Sequence, residues 1–190
     1  MAKGEARNRM VAGAVRLLAE KGLEGTSFAD VLAATGGSRG STYHHFPGGK
    51  AELVSEALDL AGNHALAAME PVRGEPATVV VARFTALWRH LLAATDLRSG
   101  CAVLAVTVAA DDDELLDHAG RVFRGWREQI ASLLTDGGLG REDAARLAAL
   151  TIAATEGGVA VARAERSWEP FDLVEASLLA EVERALAAAT

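Results

Sequence analysis

Cysteine occurs once in the 190 residues, as Cys101, so no disulfide can close within the chain and no neighbouring thiols are there to build a structural zinc site. A reducing compartment fits that usage. Long apolar runs are missing as well: the longest without a charge, Cys101 to Ala110, stops at Asp111, well short of the roughly 20 residues that span a bilayer. No membrane span and no membrane partner are expected. The N-terminus opens Met1-Ala2-Lys3-Gly4-Glu5 where a secretory signal needs an apolar core, which makes the cytoplasm the expected location. Strand-forming material is scarce, with one tyrosine and few β-branched stretches in a chain heavy in Ala, Leu, Arg and Glu, a mix whose propensities favour helix. Half of the residues are hydrophobic, enough for one core or two small ones, so the expectation is an all-α globular fold. Catalytic signatures are lacking too: no nucleophile, base and orienting group fall together, and there is no phosphate loop or metal-ligand spacing. An enzyme is not expected, and neither catalytic residues nor a cofactor are assigned.

Charge is present but unevenly spread. The net charge of −7 argues at first sight against a nucleic-acid partner, yet phosphates respond to local charge and not to a whole-chain sum. Residues 1–50 carry seven Lys/Arg (Lys3, Arg7, Arg9, Arg16, Lys21, Arg39, Lys50) against four acids, a net +3 that leaves −10 for the remainder. The basic part is the N-terminal part.

From Glu5 to Lys21 the apolar residues Met10, Ala14, Leu17 and Leu18 recur at helical spacing, with Arg7, Arg9, Arg16 and Glu20 on other faces, and Gly22 ends the helix. Ser27 caps a second helix with Asp30 as partner carboxylate and Phe28, Val31 and Leu32 as its buried stripe; Gly36-Gly37 stops it. A third segment, Arg39 to His45 after Ser38, is barely two turns long and depends on packing, with Phe46 as its anchor. After Pro47-Gly48-Gly49 a long helix runs from Lys50 to Met69, and Pro71, Gly74 and Pro76 mark a linker. Helices then follow at about 77–95, 100–110, 115–133, 142–166 and 171–188, the clearest being the stripe Leu115, Ala119, Val122, Phe123, Trp126, Ile130 and Leu133.

Three short helices with a glycine turn between the second and third, followed by a longer fourth, have the geometry of a helix-turn-helix unit. Thr26-Ser27-Phe28, Val31, Ala34 to Gly36, and Ser41-Thr42-Tyr43-His44-His45-Phe46 followed by Lys50 and Leu53 closely resemble the DNA-binding domain of the TetR family over residues 7–58. The resemblance implies a recognition helix whose DNA-facing set is Ser38, Arg39, Gly40, Thr42, Tyr43 and His44. Physical chemistry agrees in part, because a helix entering the major groove reads bases with its N-terminal residues and Arg39 stands where it can pair bidentately with guanine. Tyr43 and His44 correspond to backbone contacts, the Tyr43 ring being free to pack on the core meanwhile. Lys50 in a helix's first turn opposes the helix dipole and calls for a compensating partner, a role a DNA phosphate would fill. Thr26 and Ser27 correspond to a similar phosphate clamp.

Gly100-Cys101-Ala102-Val103, the run Asp111 to Glu114, and Glu156-Gly157 through Ala162-Arg163-Ala164 resemble the LmrA/YxaF-like subgroup, which implies a C-terminal ligand-binding and dimerisation domain. The implied division is a DNA-binding domain over 1–50, a long linking helix over 50–70, and a ligand and dimer domain over 51–190. Trp88, Phe123 and Trp126 fall on helices that flank the ligand cavity in that family, with Leu91, Val103, Leu104, Thr107, Arg127, Ile130 and Thr155 as further lining; each is equally suited to plain core. Ala153, Gly157 and Val161, with the stripe Leu173, Ser177, Leu178 and Val182, suit close helix packing across a dimer axis or packing within the chain. Dimerisation matters because one helix-turn-helix reads too few base pairs, whereas a two-fold dimer reads a palindrome. Adjacent His44 and His45 point in different directions, so no metal is expected. Asp111 to Glu114 reads as dipole compensation, and Cys101 as a small buried hydrophobe. The expected protein is a DNA-binding repressor, a homodimer released from a double-stranded operator by a small apolar or amphipathic inducer. The alternative is a dimeric helical module that binds a small molecule or a protein without specific DNA affinity.

Overall fold

A computed structural model describes residues 3–36 and 42–188, and among them the regular elements are all helical: α1 (Lys3–Lys21), α2 (Phe28–Thr35), α3 (Thr42–His45), α4 (Gly49–Met69), α5 (Ala77–Ala94), α6 (Ala102–Ala109), α7 (Asp113–Asp136), α8 (Arg141–Glu165) and α9 (Glu169–Ala188). The all-α expectation holds. Gly22 and Gly36 close α1 and α2 in left-handed backbone, at φ +75° and +70°, a conformation a Cβ disfavours. Pro71 lies in a short 3₁₀ turn, Glu70–Val72, after α4, where the sequence places its linker.

Two helix starts show how side chains set the boundaries. Asp112 Oδ1 accepts from the backbone N–H of Glu114 at 2.8 Å and of Leu115 at 3.4 Å, so the acidic run does its work as the N-terminal cap of α7. Cys101 is not inside a helix, as its apolar context suggested, but caps α6, its Sγ accepting from the Leu104 N–H at 3.4 Å.

The chain folds as two compact units, Met1–Asn63 with Cys101–Phe123, and His64–Gly100 with Arg124–Thr190. The division of roles expected at residue 50 is therefore not the division of packing, since α6 and the first half of α7 belong with the N-terminal helices. In the first unit α1 packs against α2 and α6, over a core that includes Leu18, Val31, Phe46, Leu53, Val54 and Leu58. His118 on α7 meets Asp59 on α4 at 2.7 Å, and a Cβ on Gly62 would stand 2.9 Å from Val122, so glycine permits this close approach of α4 and α7.

In the second unit α8 packs on α9 and both pack on α5. Phe84, Trp88 and Trp126 form an edge-to-face run with ring centroids 6.4 Å apart at each step, a favoured aromatic geometry. Arg89 joins α5 to the start of α9: it pairs with Asp172 and Glu175 at 2.6 Å each and lies 5.4 Å above Trp168 and 5.3 Å above Phe171. Its guanidinium is thus held by charge on one side and by aromatic faces on the other. By length and composition α8 is apolar enough to cross a bilayer, but 44% of its apolar window is buried inside the fold, and the test is also passed by core helices of globular domains.

Candidate nucleic-acid interface

The turn between α1 and α2 is built from backbone carbonyls that collect donors. Thr26 is fully buried; its hydroxyl donates to the Gly22 carbonyl at 2.8 Å and its N–H to the Leu23 carbonyl at 3.2 Å. The Lys50 ammonium donates to the same Leu23 carbonyl at 2.7 Å. That oxygen supplies the compensation that a cation in the first turn of α4 requires, and it ties the start of α4 to the end of α1. One of the three ammonium protons is used in this way.

Ser27 starts α2 with a reciprocal cap. Its hydroxyl oxygen accepts from the Asp30 N–H at 3.2 Å, the Asp30 carboxylate accepts from the Ser27 N–H at 3.1 Å, and the Ser27 hydroxyl also meets that carboxylate. The Ser27 hydroxyl, its backbone N–H and nearby Lys21 together hold the Asp30 carboxyl below its ordinary value of 3.8. A depressed carboxyl stabilises the fold above its unfolded value and loses that contribution as pH falls through the folded one. Ser27→Ala is therefore expected to cost about 1 kcal/mol near neutral pH, with the difference shrinking below about pH 4; urea unfolding at the two pH values measures it, and a pH-independent difference would exclude the carboxylate from the cap.

Thr42 and Tyr43 fall in α3, while Ser38, Arg39 and Gly40 lie outside the described residues. His44 is exposed, His45 is half-buried, and Phe46 is fully buried against Phe28 with ring centroids 6.1 Å apart. Helical spacing sets Arg7 on a face away from the apolar stripe of α1. It pairs with Glu56 through both Nη atoms, reaches Glu52 at 3.3 Å, donates from Nε to the His45 carbonyl at 3.3 Å, and lies 5.0 Å above the Phe46 ring. Glu52 and Glu56, four residues apart, mark an acidic face of α4 but do not say which cation meets it.

A 19-residue α1, two shorter helices with a glycine cap closing α2, and the 21-residue α4 agree with what sequence comparison finds. Residues 10–57 match the family model of bacterial regulatory proteins of the tetR family, and residues 76–177 match the C-terminal domain of LmrA/YxaF-like transcriptional regulators. The chain belongs to the TetR family. It is similar to the HTH-type transcriptional regulator Rv0196 of Mycobacterium tuberculosis, 35% identical over 181 residues that cover 90% of this chain and 91% of the relative. The HTH-type transcriptional regulator YxaF of Bacillus subtilis is 26% identical over 177 residues, 90% of this chain and 92% of that one. Among solved structures, a TetR regulator from Chloroflexus aurantiacus superposes with a TM-score of 0.75 at 28% identity, covering 95% of this chain and 96% of the other. A TetR protein from Rhodobacter sphaeroides shares the fold with a TM-score of 0.81 at 21% identity, covering 93% and 98%. This TetR-type protein is a DNA-binding transcriptional regulator and not an enzyme.

The expected ligand-lining residues divide between the two units of this regulator. Trp88, Leu91, Trp126, Arg127, Ile130 and Thr155 belong to one, and Val103, Leu104, Thr107 and Phe123 to the other. Trp88 and Trp126 are brought into ring contact; Val103, Ile130 and Thr155 are buried, Leu91, Leu104 and Phe123 are half-buried, and Thr107 and Arg127 are exposed. The hydroxyls of Thr151 and Thr155, one turn apart on α8, are fully buried without a hydrogen-bond partner. Of the expected dimer set, Ala153, Gly157, Val161, Leu173 and Ser177 are exposed, whereas Leu178 and Val182 are buried in the chain's own core. Of these, Leu173, Ser177 and Leu178 line an open groove of 310 Å³ together with Leu150, Ala154, Val174, Glu181 and Arg184.

Proposed function

We propose that this regulator is a ligand-responsive repressor acting in the cytoplasm as a homodimer on a palindromic operator. The observation that carries the dimer is the outer face of α8 and α9, where Leu150, Val161 and Leu173 are 40%, 43% and 63% exposed among small residues that allow close helix approach. Apolar area of this kind gains when a two-fold copy covers it. α3 with the residues just before it is the base-reading element, with Ser38, Arg39, Gly40 and Thr42 assigned to base edges and Tyr43 and His44 to phosphate. Ser27 and Lys50 flank it as phosphate contacts. Thr26, sealed under the Gly22 carbonyl, we assign to shaping the turn.

Ligand response is supported by the Thr151 and Thr155 hydroxyls. A buried hydroxyl left unpartnered is costly, and a small molecule with an apolar body and a few polar atoms would relieve that cost. α4 and α7 each run through the division between the compact units, so they are the elements through which ligand and DNA affinity are coupled. Release requires the inducer to prefer the DNA-incompetent arrangement, by about 1–3 kcal/mol in typical cases. Titrating inducers against the operator complex tests this; a ligand that saturates the second unit with no loss of operator affinity contradicts induction.

The two kinds of DNA contact separate by mutation. Arg39→Ala is expected to relax base preference by about 1–3 kcal/mol, whereas Lys50→Ala weakens binding to all sequences and lowers the salt slope by about one. Fluorescence titration against operator and random duplex at several salt concentrations measures both. Equal effects of the two variants on the two duplexes would reverse the assignment.

A further inference from the structure

The third helix is too short to hold its own direction: Gly36-Gly37 and Pro47 leave room for barely two turns between them, of which Thr42–His45 is described, and an isolated helix that short does not persist in water. Its last carbonyls have no partner within the helix. The His45 carbonyl finds one in Arg7, whose Nε donates to it at 3.3 Å. The same guanidinium forks onto Glu56, reaches Glu52 at 3.3 Å, and covers the Phe46 ring at 5.0 Å. One side chain of α1 thereby fixes the C-terminal end of α3 to α4, and the start of α4 is held from its other side by Lys50 on the Leu23 carbonyl.

We propose that Arg7 is a positioning residue for operator recognition, setting the direction of the third helix through the His45 carbonyl and Glu56 without itself touching DNA. Charge argues against a phosphate contact. Arg7 faces two carboxylates, so the cluster presents a net negative charge to an approaching strand. Chemistry favours arginine in particular, because only a planar fork can meet a carboxylate bidentately while a third N–H reaches a carbonyl and the face lies on an aromatic ring. The inference rests on the third helix being the base-reading element.

The test compares Arg7→Gln, Arg7→Lys, Glu56→Ala and the Arg7→Gln/Glu56→Ala double variant, with Arg39→Ala as reference. The probe is the duplex that the wild-type protein enriches from randomised DNA, set against a random duplex, with salt dependence and thermal unfolding measured alongside. Arg7→Gln and Glu56→Ala are each expected to lose about ten-fold in enriched-duplex affinity, with random-duplex affinity and salt slope unchanged. Coupled residues are not additive, so the double variant should be no worse than the poorer single one, and lysine at position 7 should not restore binding. The proposal is overturned if Arg7→Gln weakens both duplexes and lowers the salt slope by about one while Glu56→Ala does not, the signature of a phosphate contact. It is also overturned if folded Arg7→Gln and Glu56→Ala proteins bind with wild-type affinity. Should Arg7→Gln fail to fold, Glu56→Ala decides on the same readouts. Arg39→Ala separates the two layers: unchanged preference there refutes the base-reading role, whereas altered preference with wild-type Glu56→Ala refutes the positioning role alone.

Discussion

Leu173→Glu is expected to leave each chain folded, to convert dimers into monomers, and to weaken operator binding by about a hundred-fold or more. Leu173 is 63% exposed, so glutamate meets water in the single chain and costs the fold little. In a two-fold interface the same residue appears from both copies, and two carboxylates would be carried without partners into an apolar seam that Leu150 and Ala154 share. A single helix-turn-helix then has to bind alone, losing the half-site cooperation that dimers supply. Sedimentation equilibrium and operator titration of the same sample measure the two consequences together. A dimer that survives the substitution places the interface elsewhere.

Phe46→Ala is expected to remove about 3–5 kcal/mol from the DNA-binding unit, the range for deleting a buried phenylalanine, and to abolish operator binding at physiological temperature. Phe46 is fully buried, meets the Phe28 ring at a tilt with centroids 6.1 Å apart, and carries the Arg7 guanidinium at 5.0 Å. Its loss leaves a cavity directly behind α3 and strips Arg7 of its aromatic support. Since total stabilities are typically 5–15 kcal/mol, the first unit should approach its unfolding limit. The second unit has its own core around Phe84, Phe171, Leu134 and Leu147 and should keep its dimer. Region-resolved hydrogen exchange with sedimentation checks this: protection should fall in α1 to α3 and persist in α8 and α9. Uniform loss across both units would mean that they do not hold separate cores.

Local chemistry made much of this readable from sequence. Ser27 and Asp30 announce a capping box by spacing alone, Gly22 and Gly36 mark helix ends because left-handed backbone favours glycine, and the stripe through Trp126 and Ile130 gives α7 its buried face. The third helix shows in the sequence only as a short segment after Ser38 anchored by Phe46, too short for periodicity to register, and its DNA-facing role comes from the family resemblance. Interactions that join distant segments were not readable. Nothing in the sequence pairs Arg7 with Glu52 and Glu56, or Lys50 with the Leu23 carbonyl, because a charged residue on a polar face carries no periodic mark of its partner. Periodicity likewise groups Leu173, Ser177, Leu178 and Val182 as one stripe but cannot say what covers each. The structure turns Leu178 and Val182 to their own core and leaves Leu173 outside.

Selection from randomised duplexes tests most directly how this protein reads DNA. With excess random competitor and two salt concentrations, the enriched sequences should contain two inverted half-sites about one helical turn, roughly 10 base pairs, apart or a multiple of that. They should bind two or more protomers and resist competitor at the higher salt. Enrichment of a single unpaired half-site, or binding that disappears equally for enriched and random DNA as salt rises, would contradict dimeric, sequence-specific recognition.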